Sequence, residues 1–294
     1  MTSLAVLILL GMVLYVHVHA SPNSDFESNQ SFPKAVTNSR VQYGDVVPIN
    51  LMRYVARLDI TDKKGESFLC GGSLIRDDVV LSAAHCFYGD NGKLTARRVK
   101  VYLRDYSEDE EVDPFIAEGV IAPSAYNPNK KGGSMYGDIA LLFLTELAET
   151  KPARIASSRT KVKGDLIVAG YGETESDDYS EDLLYATLPH LSDYETENEF
   201  DDYLEKDHFG AGLDEDDQLD CQGDSGGPII IPGRGWKAEG TKASEDIIVG
   251  VVSYGPGDFK CGDRNSVSAY TEIRRWRKWI DSAIEDYEFD ALRT

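Results

Sequence analysis

The chain has 294 residues, a formal net charge of −21 and 41% hydrophobic residues, which is an ordinary globular composition with enough length for a sizeable core. The charge argues against a protein that binds the nucleic-acid backbone or an anionic membrane surface. Nearly all of the excess lies in residues 173–220, with 19 acidic residues and one basic residue, Lys206. Two interpretations of this segment are open. We favour solvated loops extended by self-repulsion over a field that attracts cationic substrates or partners.

The first 20 residues have the pattern of a secretory signal. An apolar run from Leu4 to Val16 is too short to cross a bilayer comfortably, and small residues precede a cut after Ala20. The alternative is an uncleaved membrane anchor. We therefore expect a secreted, extracellular protein that is not attached to a membrane once the signal is removed.

Residues 21–40 are rich in Ser and Asn and show no periodicity, which predicts a flexible segment. Asn29 stands in Asn29-Gln30-Ser31, a glycosylation acceptor if exposed. The segment ends at Arg40, and from the local sequence this residue is either a processing site or a surface charge.

The folded part, from residue 41 onward, shows the pattern of many short strands. Apolar and polar residues alternate between Met52 and Ile60, which is typical of a half-buried strand. A stripe of apolar residues from Trp276 to Ile284 at helical spacing predicts one docked helix. Many short strands with few helical patterns indicate an all-β sandwich or barrel. The further β-rich runs are 79–81, 99–103, 139–144, 166–169, 229–231 and 247–252.

A glycine-rich stretch, Cys221–Pro228, presents the strongest candidate for a nucleophile. Its glycines leave Ser225 uncrowded and allow the N–H groups of Gly223 and Ser225 to converge, as an oxyanion hole requires. A nucleophile of this kind needs a base and an acid that orients the base. His85, after a strand and beside a cysteine, and Asp138, at the start of an apolar strand, are candidates, although each alone is more typical of a structural residue.

The cysteines are even in number, which suggests disulfides in a secreted chain. Spacing alone leaves three pairings open, and no CxxC or HxxxH spacing supports a zinc site. We therefore assign no metal and no cofactor. The four cysteines are Cys70, Cys86, Cys221 and Cys261.

Four motifs in a fixed order make the pattern far more specific. The stretches Cys70–Leu74, Ser82–Cys86, Asp138–Leu141 and Gly223–Pro228 resemble the trypsin/chymotrypsin family of serine endopeptidases. The resemblance runs from about Val41 to the terminal helix. It implies two packed six-stranded antiparallel β-barrels, about 41–150 and about 160–270, with a C-terminal helix at about 272–286.

The resemblance also implies a role for each candidate residue. Ser225 is then the nucleophile, His85 the general base and later the general acid, and Asp138 the group that orients His85. The backbone N–H groups of Gly223 and Ser225 form the oxyanion hole. We expect a secreted serine endopeptidase that acts through an acyl-enzyme. The alternative is a non-catalytic binding or regulatory homologue of the same fold.

In this family a free amino terminus organises the oxyanion hole. The resemblance implies that residues 21–40 are an activation propeptide and that a cut after Arg40 frees the amino group of Val41, which pairs with Asp224. It further implies the disulfides Cys70–Cys86 and Cys221–Cys261. Gly210 stands where relatives usually carry one cysteine of a further disulfide, so we expect residues 193–220 to be mobile.

Substrate preference depends on residues near the nucleophile. By resemblance, Leu219 lies at the floor of the specificity pocket and favours an apolar or small P1 side chain, while Asp220 could offer a carboxylate. Gly255 leaves one wall open, Ser268 replaces a common glycine, and Ser253 begins the segment that pairs with substrate on the acyl side. Expected partners are polypeptide substrates, an activating protease and possible protein inhibitors, and the protein is expected to be a monomer.

Overall fold

The structure is a computed structural model that describes residues 44–48, 51–103, 113–129, 134–174, 179–200, 204–212, 219–233, 245–256 and 266–291. All of these belong to one compact unit, Asn38–Thr294. No helix in these ranges is long and apolar enough to span a membrane. The predicted signal and propeptide, the glycosylation acceptor Asn29, and the proposed cut between Arg40 and Val41 lie outside the described residues.

The first half of the unit is a closed antiparallel barrel of six strands, in the order β2-β3-β4-β7-β6-β5. Its inward positions follow the predicted parity, since Tyr54, Ala56, Leu58 and Ile60 are buried while Arg57 is partly exposed. The strands are β2 (Val55–Asp62), β3 (Ser67–Arg76), β4 (Val79–Ser82), β5 (Ala96–Leu103), β6 (Phe115–Ile121) and β7 (Ala140–Leu144). Between β4 and β5 lies a short 3-10 helix, Ala84–Cys86.

The second half is an eight-stranded sheet in the order β1-β10-β9-β12-β13-β14-β11, with β8 parallel to β13. An isolated bridge between His190 and Ala211 returns β11 to the end of β10, so six strands curl into a ring. The strands are β1 (Asp45–Val46), β8 (Arg154–Ile155), β9 (Asp165–Gly170), β10 (Leu184–Pro189), β11 (His208–Gly212), β12 (Pro228–Ile231), β13 (Ile247–Tyr254) and β14 (Val267–Glu272). The predicted all-β class with two barrels is confirmed.

The last helix, α2 (Ile273–Ala291), matches the predicted apolar stripe and contacts both halves. Its Trp276 indole donates to Asp207 at 2.7 Å, next to β11. One turn from its end, Tyr287 stacks on Phe143 of β7, with ring centroids 3.5 Å apart. The helix therefore ties the second sheet to the first barrel.

The acidic segment holds more regular structure than we expected. It contains α1 (Asp193–Glu199), whose Ser192 and Glu195 form a capping box, and β11, which is buried along its whole length. The expected mobility of residues 193–220 stays a prediction, although these two elements have regular structure. Gly210 allows this packing, because a Cβ there would lie 2.3 Å from the Thr196 hydroxyl.

Candidate active site

A histidine and an aspartate from the first barrel form the centre of the site. His85, on the 3-10 helix, meets the carboxylate of Asp138 twice: Nδ1 lies 2.8 Å from Oδ2, and the backbone amide donates to Oδ1 at 2.8 Å. Asp138 is fully buried, whereas 26% of the His85 side chain remains exposed. The pair therefore has one edge of the imidazole open to a reactant and the other edge fixed by a buried acid.

The pair shifts the pKa of both members. Burial alone would raise the pKa of Asp138, but the charge of His85 and hydrogen bonds from His85 and Ser253 hold it below its usual range. Burial lowers the pKa of His85, and the charge and hydrogen bond of Asp138 more than offset this, so that it lies above 6.5. The neutral imidazole that can accept a proton therefore forms at a higher pH than in an ordinary histidine.

A buried polar layer lies behind Asp138. The Ser253 hydroxyl donates to Asp138 Oδ2 at 2.5 Å, and the Thr271 hydroxyl donates to the Asp138 carbonyl at 2.8 Å. His208 Nε2 lies 3.1 Å from both hydroxyls, and its Nδ1 lies 2.9 Å from Asp207 Oδ1. Sequence reasoning assigned no role to His208 or Asp207, because only the pairing of β11 with β14, and of β14 with β13, brings them behind Asp138.

The turn that carries Ser225 belongs to the second half but is held by the first. The amide of Gly71, on β3, donates to the Ser225 carbonyl at 2.7 Å. Gly226 has φ +84°, and a Cβ there would lie 2.2 Å from the Ser82 hydroxyl. The turn thus places Ser225, partly exposed, at the edge of the barrel that supplies His85 and Asp138.

The amides of this turn divide into two groups. Those of Asp224, Gly226 and Gly227 donate to carbonyls of the protein. Within the described residues, the amides of Gly223 and Ser225 donate to no protein acceptor. Gly223 has φ +91°, which favours glycine there. These two free donors are the pair that sequence reasoning proposed for an oxyanion hole.

The carboxylate of Asp224 is fully buried and rests on glycine backbone. It accepts amide hydrogens from Gly172 at 2.7 Å and Cys221 at 2.9 Å. No cation from the described residues contacts it. Burial raises the pKa of Asp224 to about 7, the charge of Asp220 adds to this rise, and the two amide donors offset part of it.

A cavity of about 290 Å³ opens beside Ser225. Asp220 lines it and accepts hydrogen bonds from the hydroxyls of Ser268, at 3.0 Å, and Tyr270. Burial raises the pKa of Asp220. Leu219 is buried but does not line the cavity, so the expected leucine floor is replaced by the Asp220 carboxylate. The other residues at its wall are Cys221, Gln222, Val252, Ser253, Tyr254, Gly255 and Pro256.

The predicted disulfide between Cys70 and Cys86 is present, with the Cα atoms 6.4 Å apart. Cys221 is also disulfide-bonded, and its predicted partner Cys261 lies outside the described residues. Cys70, His85 and Cys86 have potential metal-ligand atoms within 4.8 Å of one another. Because both sulfurs are joined to each other, this group is a disulfide beside an imidazole and lacks the thiolates that would bind a metal.

Comparison with known proteins agrees with this arrangement. The family model described as Trypsin matches residues 41–280. The chain belongs to the trypsin family. It is 28% identical over 263 residues to Trypsin II-P29 of Gallus gallus, covering 87% of this chain and 94% of that protein. It is 31% identical over 228 residues to Trypsin-3 of Salmo salar, covering 73% of this chain and 82% of that protein.

Solved structures agree on the fold of this family member. HL collagenase superposes with a TM-score of 0.67 at 24% identity, covering 83% of this chain and 98% of that one. Mouse neuropsin, a serine protease, superposes with a TM-score of 0.64 at 24% identity, covering 82% and 98%. The protein is thus a serine-type hydrolase of the trypsin family with a chymotrypsin-like fold.

Proposed function

We propose that the protein is a secreted serine endopeptidase that cleaves polypeptides through an acyl-enzyme, with Ser225 as nucleophile and His85 and Asp138 as its base and orienting acid. The pairing of the partly exposed His85 with the buried Asp138 carries this proposal, because it fixes one imidazole edge and leaves part of the ring open. His85 takes the Ser225 proton as the hydroxyl attacks the scissile carbonyl, and it then protonates the leaving amine. The free amides of Gly223 and Ser225 stabilise the developing oxyanion.

A phosphonate that reacts with activated serines tests this proposal. The protein, cleaved after Arg40, should label at Ser225, as located by peptide mass mapping. Ser225→Ala is the matched control and His85→Ala should label far more slowly. A folded protein that does not label would favour the alternative, a non-catalytic homologue.

We also propose that the protein is made as a zymogen and that Val41 activates it by pairing with Asp224. Strand β1 begins four residues after Val41 and pairs with β10, which pairs with Gly170 at the end of β9. A Cβ on Gly170 would lie 1.9 Å from Asp224, so Asp224 is about two strand spacings, roughly 10 Å, from β1. Four extended residues span up to roughly 14 Å, enough to bring the new amino terminus there. A start other than Val41 in the active form would contradict the proposal.

The cavity chemistry changes the P1 class that we propose. An apolar P1 group would desolvate the Asp220 carboxylate further, whereas a lysine or arginine side chain would place a cation beside it. We therefore propose a cationic P1 residue when Asp220 is ionised, instead of the apolar or small residue that Leu219 suggested. Turnover of matched peptides with Arg, Leu or Ala at P1 distinguishes these classes. Faster cleavage of the Leu or Ala peptide at pH 8 would contradict the cationic class and favour an apolar or small P1 residue.

A further inference from the structure

A groove of about 440 Å³ runs along the outer face of the first barrel and approaches the catalytic turn. Tyr179 lines the groove, and its ring also covers Gly223, since a Cβ on Gly223 would lie 2.8 Å from that ring. The groove and the cavity beside Ser225 share no lining residue. Both therefore lie next to the catalytic turn, the groove through Tyr179 and the cavity through Ser225.

The strand register extends this groove away from the nucleophile. The Gly71 amide donates to the Ser225 carbonyl. Leu69 and Ser67, two and four residues before Gly71, lie on the same face of β3. At 3.3 Å per residue, these lie roughly 7 and 13 Å further along. Each is paired across β2 to one residue of β5, in three rows: Gly71–Arg57–Tyr102, Leu69–Asp59–Lys100 and Ser67–Thr61–Arg98.

The groove is basic in a strongly acidic protein. Arg57 pairs with Asp59 at 3.0 Å, but neither Arg98 nor Lys100 forms an ion pair with a described residue. Arg97, which precedes Arg98 on β5, is also exposed. The lining also has an apolar and aromatic part, formed by Phe68, Leu69 and Tyr179.

We propose that this groove binds the leaving-group side of the substrate and selects polypeptides with an aspartate or glutamate two to four residues after the scissile bond. The two unpaired cations recognise the acid, and the apolar part receives the residues before it. This inference rests on the proposed peptidase function, to which it adds a substrate class.

The test uses two fluorogenic peptides that differ only in Glu or Gln at the third residue after the scissile bond. We expect kcat/KM to be about fivefold higher for the Glu peptide at low salt, as two exposed charge pairs would give, with the advantage lost at high salt. Arg98→Glu/Lys100→Glu should reverse the preference. Lys278→Glu, an exposed residue on α2, is the control and should leave it unchanged.

Equal kcat/KM for the two peptides, or an equal loss in the Lys278→Glu control, would overturn the groove proposal. Failure of the peptidase function is recognised separately, by absence of phosphonate labelling at Ser225. In that case the groove proposal is tested by fluorescence anisotropy, which measures binding of the intact peptides. Tighter binding of the Glu peptide would support the proposal, and equal binding of the two peptides would overturn it.

A second, independent inference concerns the polar layer behind Asp138. The hydroxyls of Ser253 and Thr271 each donate their one hydrogen to Asp138. Both hydroxyls must therefore act as hydrogen-bond acceptors toward His208 Nε2, so Nε2 carries a hydrogen and donates it. At the other ring nitrogen of His208, a proton lies between Nδ1 and Asp207 Oδ1. The second carboxylate oxygen, Asp207 Oδ2, accepts from the amide of Gly137 and from the Trp276 indole.

We infer that His208 is a positioning residue for the catalytic acid. By occupying the acceptor sites of both hydroxyls, its Nε2–H directs their hydrogens toward Asp138. It is fully buried and Asp207 is 2% exposed, so its orientation is fixed by this bond. Its loss leaves the Ser253 hydroxyl free to turn away, which makes the Asp138 carboxylate a stronger base and favours protonated His85.

His208→Met should shift the acid limb of the kcat/KM profile upward by about half a pH unit and lower kcat about fivefold, with KM unchanged. His208→Gln, whose side-chain amide also donates, should restore both. An unshifted limb in the Met variant, or a Gln variant as impaired as Met, would refute the role. If the Met variant does not fold, nitrogen NMR of the native protein decides, because an Nε2 without hydrogen would also refute it.

Discussion

Asp224 provides a direct test of the activation proposal, because its carboxyl is buried without a cation among the described residues. An unfolded aspartate has a pKa of about 3.9, and burial raises the pKa of Asp224 to about 7. The folded, uncleaved chain then holds this proton more tightly than the unfolded chain. The contribution of Asp224 to stability is greatest below pH 4 and is lost as the pH rises to 7. Three pH units correspond to about 4 kcal/mol.

The measurement compares the uncleaved protein with its Asp224→Asn variant, both in a Ser225→Ala background to prevent self-cleavage. Urea unfolding followed by tryptophan fluorescence gives both free energies, and their difference removes the titration of other groups. The difference should fall by about 1.4 kcal/mol per pH unit between pH 4 and 7. After cleavage at Arg40 the slope should vanish, because the Val41 ammonium then pairs with Asp224. A difference independent of pH in the uncleaved protein would refute the reasoning.

Three further predictions concern the catalytic pair, the cavity and the support of Asp224. Because Asp138 raises the pKa of His85, kcat/KM should increase with pH with an apparent pKa above 6.5, and Asp138→Asn should lower that apparent pKa. An apparent pKa that is the same in the Asp138→Asn variant would contradict this. Since burial raises the pKa of Asp220, the ratio of kcat/KM for Arg over Leu at P1 should increase with pH, and Asp220→Asn should remove the pH dependence. Gly170→Ala should cost about 3 kcal/mol of unfolding free energy by urea titration, with partial recovery in combination with Asp224→Ala; an additive double variant would show that the two side chains do not collide.

Local patterns in the sequence were sufficient where burial repeats along one element. The alternation in β2 and the helical stripe of α2 both appear at the predicted places. Strand β3 was missed because Cys70-Gly71-Gly72 interrupts any alternation, yet a Cβ on Gly71 would lie 2.8 Å from Gly227. The glycines that hide this strand from sequence reasoning are the ones that let it approach the nucleophile turn.

Ordered motifs predicted the residues at the centre of the site, whereas contacts between distant segments could not be read from them. The family resemblance named His85 and Asp138, which the structure joins at 2.8 Å. Leu219 and Asp220 are adjacent in sequence, and only the turn before Cys221 decides which one lines the cavity. The role of His208 likewise depends on sheet pairing across more than 40 residues, for which the local sequence carries no signal.

The bond between Trp276 and Asp207 has a consequence for the order of events during synthesis. Helix α2 follows every strand in the described part of the chain, yet its Trp276 indole is one of the two described donors that hold Asp207 Oδ2 beneath Asp138. A nascent chain that has emerged only as far as β14 has both barrels but lacks this donor. The polar layer behind Asp138 is therefore completed only when α2 docks, after all the described strands have been made.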